Sequence, residues 1–367
     1  MIILTSLTIA SCQKQISEDP LVSKIHVQLD SLLRNPEIES VSCGLIINGE
    51  RYEIHKGQLL NGKSPTDETV YEIASITKTF TGTLLAHALV ERKVKIDDDI
   101  RKYLSDSFPE LQYEGYPITF QHLVTHQSGL PNMFPEIDGL FDNPDWDTLP
   151  YEINRLQRDF SREQFFEALR SIKLDTIPGY RFAYSNAGAN LLGYLLEEIY
   201  QMSYEEILKE KILLPLGMDE TRLGISDQAR QNLAIGQNLN RTEMPFRVNK
   251  EMSAEGGIIS NVDDMLKYLE FHLDRNNEVV TTSHSELWDG QFGDFEAGLF
   301  WQIFKNGEKP DKVFQNGGAF GTSSWVTLIP EQGIGVFIVT NVSGPNVHHK
   351  LSETVDSLIE ILPGMSH

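Results

Sequence analysis

The chain has 367 residues, 40% of them hydrophobic and 23% charged, with a formal net charge of −22. That length and composition support one large packed domain or two smaller lobes, and the negative charge argues against nucleic acid as a partner, because a phosphate backbone would be repelled. No apolar run reaches the roughly 18 residues that span a bilayer, and two cysteines are too few for a disulfide scaffold or a thiolate zinc site.

Residues 1–12 read MIILTSLTIASC, apolar and then small, ending in Cys12, though no Lys or Arg precedes the apolar stretch. The segment resembles a bacterial lipoprotein signal. That resemblance implies lipidation of Cys12 and a place in the bacterial cell envelope, periplasmic or at the surface, with the lipid anchor as the only membrane contact. Residues 13–22 are polar and are expected to form a tether, followed by a single domain over 23–363. Cys43, in an apolar run, reads as a small buried hydrophobe.

The runs 41–49 and 51–57, broken at Asn48-Gly49, predict a β-hairpin. Residues 76–92 then carry a helical stripe of Ile76, Phe80, Leu84, Leu85, Ala88 and Leu89, and the opposite side is largely uncharged, as expected of a buried helix. From about 96 to 250 the pattern is mostly helical, with helices expected at 118–125, 161–172, 186–201, 203–213 and 225–232. Residues 132–158 break that rhythm with Pro135, Pro144 and Pro150 among acids and aromatics, and are expected to form an irregular insertion. A helix at 261–273, strands at 297–305, 312–315, 322–329 and 334–341, and a last helix at 347–361 complete the chain. The fold class expected is α/β of the α+β kind. One antiparallel sheet is built from both chain ends (about 23–95 and 251–363) and flanked by helices, with a helical lobe (about 96–250) inserted.

Three short motifs carry chemistry. Ser75-Ile76-Thr77-Lys78 opens the buried helix, and residues three apart on a helix share a face. A serine hydroxyl needs a base beside it to become a nucleophile, and Lys78 can reach it. The spacing alone arises about once by chance in a chain this long, and Ser11-Cys12-Gln13-Lys14 is read as such a chance repeat. Tyr184-Ser185-Asn186 precedes a predicted helix, and Tyr184 is the only one of twelve tyrosines followed by x-Asn. A phenol beside an ammonium can act as a general base, and an Asn amide both donates and accepts; a helix cap with a packed tyrosine explains the same residues. Gln315-Asn316-Gly317-Gly318-Ala319-Phe320-Gly321 lies between two predicted strands. Its glycines permit close approach of backbone to a ligand; an ordinary glycine-rich hairpin explains the same residues.

In this order the three motifs resemble those of the serine β-lactamase and penicillin-binding protein family, in its class C β-lactamase-like branch, which includes D-Ala-D-Ala carboxypeptidases, D-aminopeptidases and esterases. The resemblance covers about residues 40–345, with ITFQHLVTHQSGLP (118–131), Gly256-Gly257-Ile258-Ile259-Ser260 leading into Asp264, and Ala297-Gly298-Leu299-Phe300-Trp301 as further pieces. It implies that Ser75 is acylated by an amide or ester and that Lys78 is its proton partner. It implies also that Tyr184 is the base, that Asn186 contacts substrate and Lys78, and that the Ser75 and Gly318 N–H groups form the oxyanion hole. Gln315, Asn316 and Gly317 would line the substrate. The family usually has Lys-Thr-Gly or His-x-Gly at this third motif, where a Lys offers positive charge to a substrate carboxylate and to the tyrosine. Gln315 offers neither, and Lys312 and Arg181 are the candidates to compensate. The expected activity is therefore serine hydrolysis of a cell-wall-like D-amino-acid peptide or a small ester. A true β-lactamase, or a catalytically silent binding or scaffold member of the fold, are the alternatives.

Other candidates carry less. His126 falls in a segment expected to be a structural turn. His348 and His349 are adjacent and lack metal-ligand spacing, Asp97-Asp98-Asp99 lacks that of a calcium loop, and Glu255 borders Gly256-Gly257. No metal or other cofactor is expected, and the expected partner is a small-molecule or peptide substrate.

Overall fold

The computed structural model describes residues 19–137, 139, 144–225, 229–247, 249–288, 295–307, 309–344 and 346–362. Cys12 and most of the expected tether lie outside them. The frame is a seven-stranded sheet of β1 (Ser40–Ile47), β2 (Glu50–Gly57), β3 (Glu296–Ala297), β4 (Gln302–Asn306), β5 (Lys309–Gly318), β6 (Ser323–Ile329) and β7 (Ile334–Thr340). Its spatial order is β2-β1-β7-β6-β5-β4-β3, with every neighbouring pair antiparallel. Both chain ends build it, as the sequence predicts.

Every residue of β1 is buried, because helices cover both faces of the sheet. Val41, Cys43, Leu45 and Ile47 point to the helices Pro20–Leu32 and Val347–Glu360, whose Ile25, Leu29, Leu351 and Val355 complete that core. Ile46 belongs to the core on the opposite face, with Leu266 and Leu269 of the helix Val262–Leu273. Gly44 shares that face, and a Cβ there would come within 2.7 Å of Val262 and 2.8 Å of Leu266. Its lack of a side chain is what lets this helix lie so close to the strand.

The predicted helix at 76–92 is Thr77–Val90, preceded by one 3₁₀ turn, Ala74–Ile76. Residues 77–86 are all buried, which obliges its threonines to find partners. Thr79 Oγ1 donates to Ile76 O at 2.8 Å, Thr83 Oγ1 to Thr79 O at 2.8 Å, and Thr81 Oγ1 to Ala254 O at 2.6 Å. Gly82 passes so near Leu299 that a Cβ would stand 2.2 Å from its carbonyl oxygen.

Four expectations are corrected. The sequence reading has no helix at 20–32, where Asp19 caps a helix whose first residue is Pro20 and which buries Ile25, Leu29 and Leu32; the cap and the i, i+4, i+7 spacing are visible in retrospect. The insertion 132–158 contains a helix, Leu149–Gln157. Its buried face combines Leu149 with the polar Asn154 and Gln157, which donate to Phe246 O at 2.9 Å and Phe134 O at 3.1 Å; the i, i+4, i+7 spacing of Leu149, Ile153 and Leu156 is visible in retrospect. The strand expected over 297–305 is divided by a turn at 298–301, where Phe300 has φ 60°. Gln315 to Gly318, placed between strands by the sequence, extend β5 in register with Val326 to Ser323 of β6.

The core also buries histidines. His272 Nδ1 lies 3.1 Å from His284 Nε2, and its Nε2 lies 3.2 Å from Thr83 Oγ1. Burial, with His284 as a lesser cause, lowers the His272 pKa well below normal; burial pushes His284 down to about 4, and burial with the Lys78 charge pushes His126 down to about 3. These groups stay neutral in the folded state while unfolded histidine protonates near 6.5. The unfolded state therefore binds more protons below pH 6.5, and stability present above that pH is lost as pH falls toward 4. Glu72, pushed up to about 7 by burial that Arg247 only partly offsets, opposes this with a single proton. Urea unfolding should give a lower midpoint at pH 5 than at pH 7.5, with a loss on the order of 1–2 kcal/mol per histidine; an equal or higher midpoint at pH 5 would contradict this account.

Candidate active site

The site begins at a backbone turn. The short strand Tyr71–Glu72 leads through Ile73 to Ala74, whose φ of 49° lies in the left-handed region. For a residue with a Cβ this conformation costs on the order of 1 kcal/mol or more, and the surroundings hold it. Ile73 O accepts from Ile76 N at 3.2 Å and from Ser324 Oγ of β6 at 3.0 Å. The turn brings Ser75 to the surface of the cleft at the head of an otherwise buried helix, where first-turn N–H groups have no carbonyl partners within the helix.

Lys78 has no exposed surface. Its Nζ donates to Ser75 Oγ at 3.0 Å and to Glu255 O at 2.6 Å, and it stands 4.9 Å from the centre of the Tyr184 ring. Tyr184 is 38% exposed and its hydroxyl donates to Ser75 Oγ at 2.8 Å. Ser75, Lys78 and Tyr184, remote in sequence, therefore meet at one oxygen atom.

Tyr184 is positioned by the turn after the helix Phe120–Val124. His126, at φ 56°, accepts at Nδ1 from Ser185 N at 3.1 Å and at its carbonyl from Ala183 N at 2.7 Å. Its ring lies 4.3 Å from that of Tyr184. Because Nδ1 accepts and the ring is neutral, the proton is assigned to Nε2; His126 supports the tyrosine as part of a structural turn. Ser185 caps the next helix through Gly188 N at 2.8 Å and donates to Pro131 O at 2.7 Å. Asn186 does not hydrogen-bond Lys78 here. Its Nδ2 donates to Asn132 Oδ1 at 3.1 Å, and its buried Oδ1 has no hydrogen-bond partner among the described residues.

The opposite wall is β5. Its pairing with β4 ends at Phe314, opposite Gln302, so Gln315 to Gly318 present an edge unpaired by β4 beside the Ser75 turn. A Cβ on Gly317 would stand 2.1 Å from Ile73 O, so glycine alone allows strand and turn to approach this closely. Gly318, expected with Ser75 to supply the oxyanion donors, lines the cleft on both sides of Ser75. The expectation that Gln315 contacts substrate meets a different arrangement. Its Nε2 donates to Phe300 O at 2.6 Å, and its Oε1 accepts from Gln302 Nε2 at 3.0 Å and from Asn316 N at 2.9 Å. The amide is occupied in bracing the wall. Asn316 Nδ2 lies 3.5 Å from His348 Nδ1.

Neither cation proposed to compensate for Gln315 reaches the cleft. Lys312 pairs with Asp356 at 2.6 Å, and Arg181 pairs with Asp175 at 2.6 Å. The cation that the sequence reading missed is Arg247, which lines the cleft with Ser75, Trp146 and Gly318 and forms an ion pair with the buried Glu255. No motif marks it, because its position depends on how the loop preceding Glu255 folds back. The two recesses on either side of Ser75 are each of about 280 Å³. That on the Tyr184 side is lined by Phe182, Phe295, Phe300 and Trp301. Among the described residues no cluster of His, Cys, Asp and Glu could hold a metal ion, and no helix is long and apolar enough to cross a membrane.

Comparison with known proteins agrees with this architecture. A sequence model of the Beta-lactamase family matches residues 30–359. The chain is 28% identical to the D-alanyl-D-alanine-carboxypeptidase/endopeptidase AmpH of Escherichia coli, over 83% of this chain and 79% of that protein. It is 24% identical to a Beta-lactamase of Escherichia coli over 92% of this chain and 93% of the other. Among solved structures, a class C beta-lactamase superposes with a TM-score of 0.80 at 20% identity, covering 96% of this chain and 99% of that one. A Beta-lactamase/D-alanine Carboxypeptidase from Yersinia pestis does so with a TM-score of 0.78 at 21% identity, covering 92% and 98%. With the family match extending over most of its length, the chain belongs to the Beta-lactamase family of serine hydrolases.

Proposed function

We propose that the protein hydrolyses an amide or ester through an acyl-enzyme on Ser75, its substrate being a cell-wall-like D-amino-acid peptide or a small ester. The observation that carries the reading is the convergence of Lys78 Nζ and Tyr184 Oη on Ser75 Oγ, at 3.0 and 2.8 Å. In the resting arrangement both groups donate to that oxygen. With Tyr184 as phenolate the contact reverses, and the serine O–H donates to it. Ser75 Oγ then attacks the carbonyl carbon as its proton passes to Tyr184, and the new oxyanion is met by the N–H groups of Ser75 and Gly318. Collapse breaks the bond to the leaving nitrogen or oxygen, which takes the proton from Tyr184. Water, deprotonated by the Tyr184 phenolate left behind, then attacks the ester carbonyl, and the second collapse expels Ser75 Oγ, which takes that proton back from Tyr184.

The lining beyond Ser75 bears on the substrate. On the Tyr184 side the strand position supplies the neutral, internally bonded Gln315, while aromatic rings form much of the rest. This supports an uncharged or weakly anchored leaving group over one held by a strong carboxylate contact at residue 315. The AmpH relative, a D-alanyl-D-alanine carboxypeptidase/endopeptidase by its description, supports the peptide side of the reading.

Intact-mass analysis after treatment with a fluorescent penicillin or a fluorophosphonate should show one adduct on the wild type and none on Ser75→Ala; a wild type that takes up neither probe would sink the covalent reading. Turnover of p-nitrophenyl esters and of D-Ala-D-Ala peptides then separates the two substrate classes, while rapid opening of a chromogenic cephalosporin would assign a β-lactamase instead. Tyr184→Phe, which keeps the ring and removes the proton carrier, should reduce kcat by about 10²-fold or more with a smaller change in KM. Unchanged kcat would remove Tyr184 from the mechanism.

A further inference from the structure

Behind the nucleophile lies a buried charge arrangement that the acyl-enzyme mechanism does not by itself require. Glu255 is 3% exposed, and besides its carbonyl contact with Lys78 its carboxylate Oε2 stands 3.6 Å from Lys78 Nζ. The other oxygen, Oε1, is paired with Arg247. Burial pushes the Glu255 carboxyl up, but Arg247 and Lys78 together outweigh it and hold it below the ordinary value. Arg247 is fixed in turn: its Nη2 donates to Gln157 Oε1 at 3.1 Å and its backbone N–H to Glu72 Oε1 at 3.3 Å. Gly256 leaves room for the guanidinium, since a Cβ there would be 3.1 Å from Nη1.

We propose that Glu255 is a positioning residue for the reaction: its carboxylate, tethered by Arg247, keeps Lys78 an ammonium beneath Ser75. The inference rests on the acyl-enzyme reading of Ser75. An ammonium has three N–H donors and no lone pair. In this site one donor reaches Ser75 Oγ and one Glu255 O, and the remaining surroundings are a carboxylate oxygen and an aromatic face, both of which favour a cation. The serine proton then goes to Tyr184, and Lys78 stabilises the phenolate and the developing charge on Ser75. The other titratable groups packed around Lys78 are consistent with this assignment. His126 is neutral, Tyr204 is bonded to Thr81 Oγ1 at 2.7 Å, and Glu72 faces Arg247.

The test is the pH profile of kcat/KM for p-nitrophenyl butyrate, measured on the full chain. In Glu255→Gln the alkaline limb, where the ammonium is lost, should move down by about one pH unit, and the acid limb by less, so that the profile narrows. Arg247→Gln should move the same alkaline limb upward, because the carboxylate then acts on Lys78 without its counter-charge. The double variant leaves no buried charge of this pair unpartnered, and should still lower the alkaline limb, by less than Glu255→Gln alone. Opposite movements of one limb cannot arise from a common loosening of packing. A profile that widens toward acid in Glu255→Gln would overturn the inference, showing that Lys78 works as a neutral base; so would a parallel loss at all pH values in each variant. A wild type with no Ser75 adduct would overturn the acyl-enzyme reading and this inference together, whereas a labelled wild type with unshifted variants would overturn this inference alone.

Discussion

A lysine with no exposed surface is the constraint around which this protein is arranged. A buried ammonium without partners would be too costly to keep, so the surroundings of Lys78 are obliged to supply oxygen atoms: the Ser75 hydroxyl, the Glu255 carbonyl and the Glu255 carboxylate. Each demand fixes another element. The Glu255 carbonyl sets the loop before the strand Ile258–Ser260, Ile258 N donates to Thr77 Oγ1 at 3.1 Å, and that strand pairs with Tyr71–Glu72, which leads into the Ser75 turn. Charge satisfaction and chain path thus close on each other within a few residues of Ser75.

Close backbone approach is the second theme, and it explains where glycines occur. Gly317 meets Ile73, Gly82 meets Leu299 and Gly44 meets the helix Val262–Leu273, each at a distance that a Cβ would forbid. The first of these brings the edge of β5 against the Ser75 turn. A site made this way depends on backbone placement, which the sheet holds rigid, while its side chains remain few. Gln315 illustrates the division, since it sits in the wall of the cleft yet spends its amide on Phe300, Gln302 and Asn316.

Much of the fold was legible because its signals are local. Asn48-Gly49 marks the hairpin, the apolar stripe from Ile76 to Leu89 marks the buried helix, and β6 and β7 are apolar runs bounded by turns. The failures have equally local causes. The helix Leu149–Gln157 has the apolar spacing Leu149, Ile153, Leu156, but it is short, holds Pro150, and buries the polar Asn154 and Gln157 against remote carbonyls, so the stripe is diluted. The glycines at 317 and 318 suggest a turn by composition, but their role in a strand is set by what lies across from them.

For the site, the residue types and the order Ser75-x-x-Lys78, Tyr184-x-Asn186, Gln315 to Gly318 were fixed by the chain itself, because hydroxyl, amine and phenol chemistry belongs to side chains and a helical spacing of three is a local rule. Their convergence on Ser75 Oγ, the internal bonding of Gln315, and the pairing of Glu255 with Arg247 and Lys78 were decided only by tertiary structure. Ion pairs and dry surroundings depend on which distant segments fold against each other, and desolvation sets their strength only once that folding is done. Sequence therefore determined which chemistry is available, and packing determined which charge stands beside Ser75.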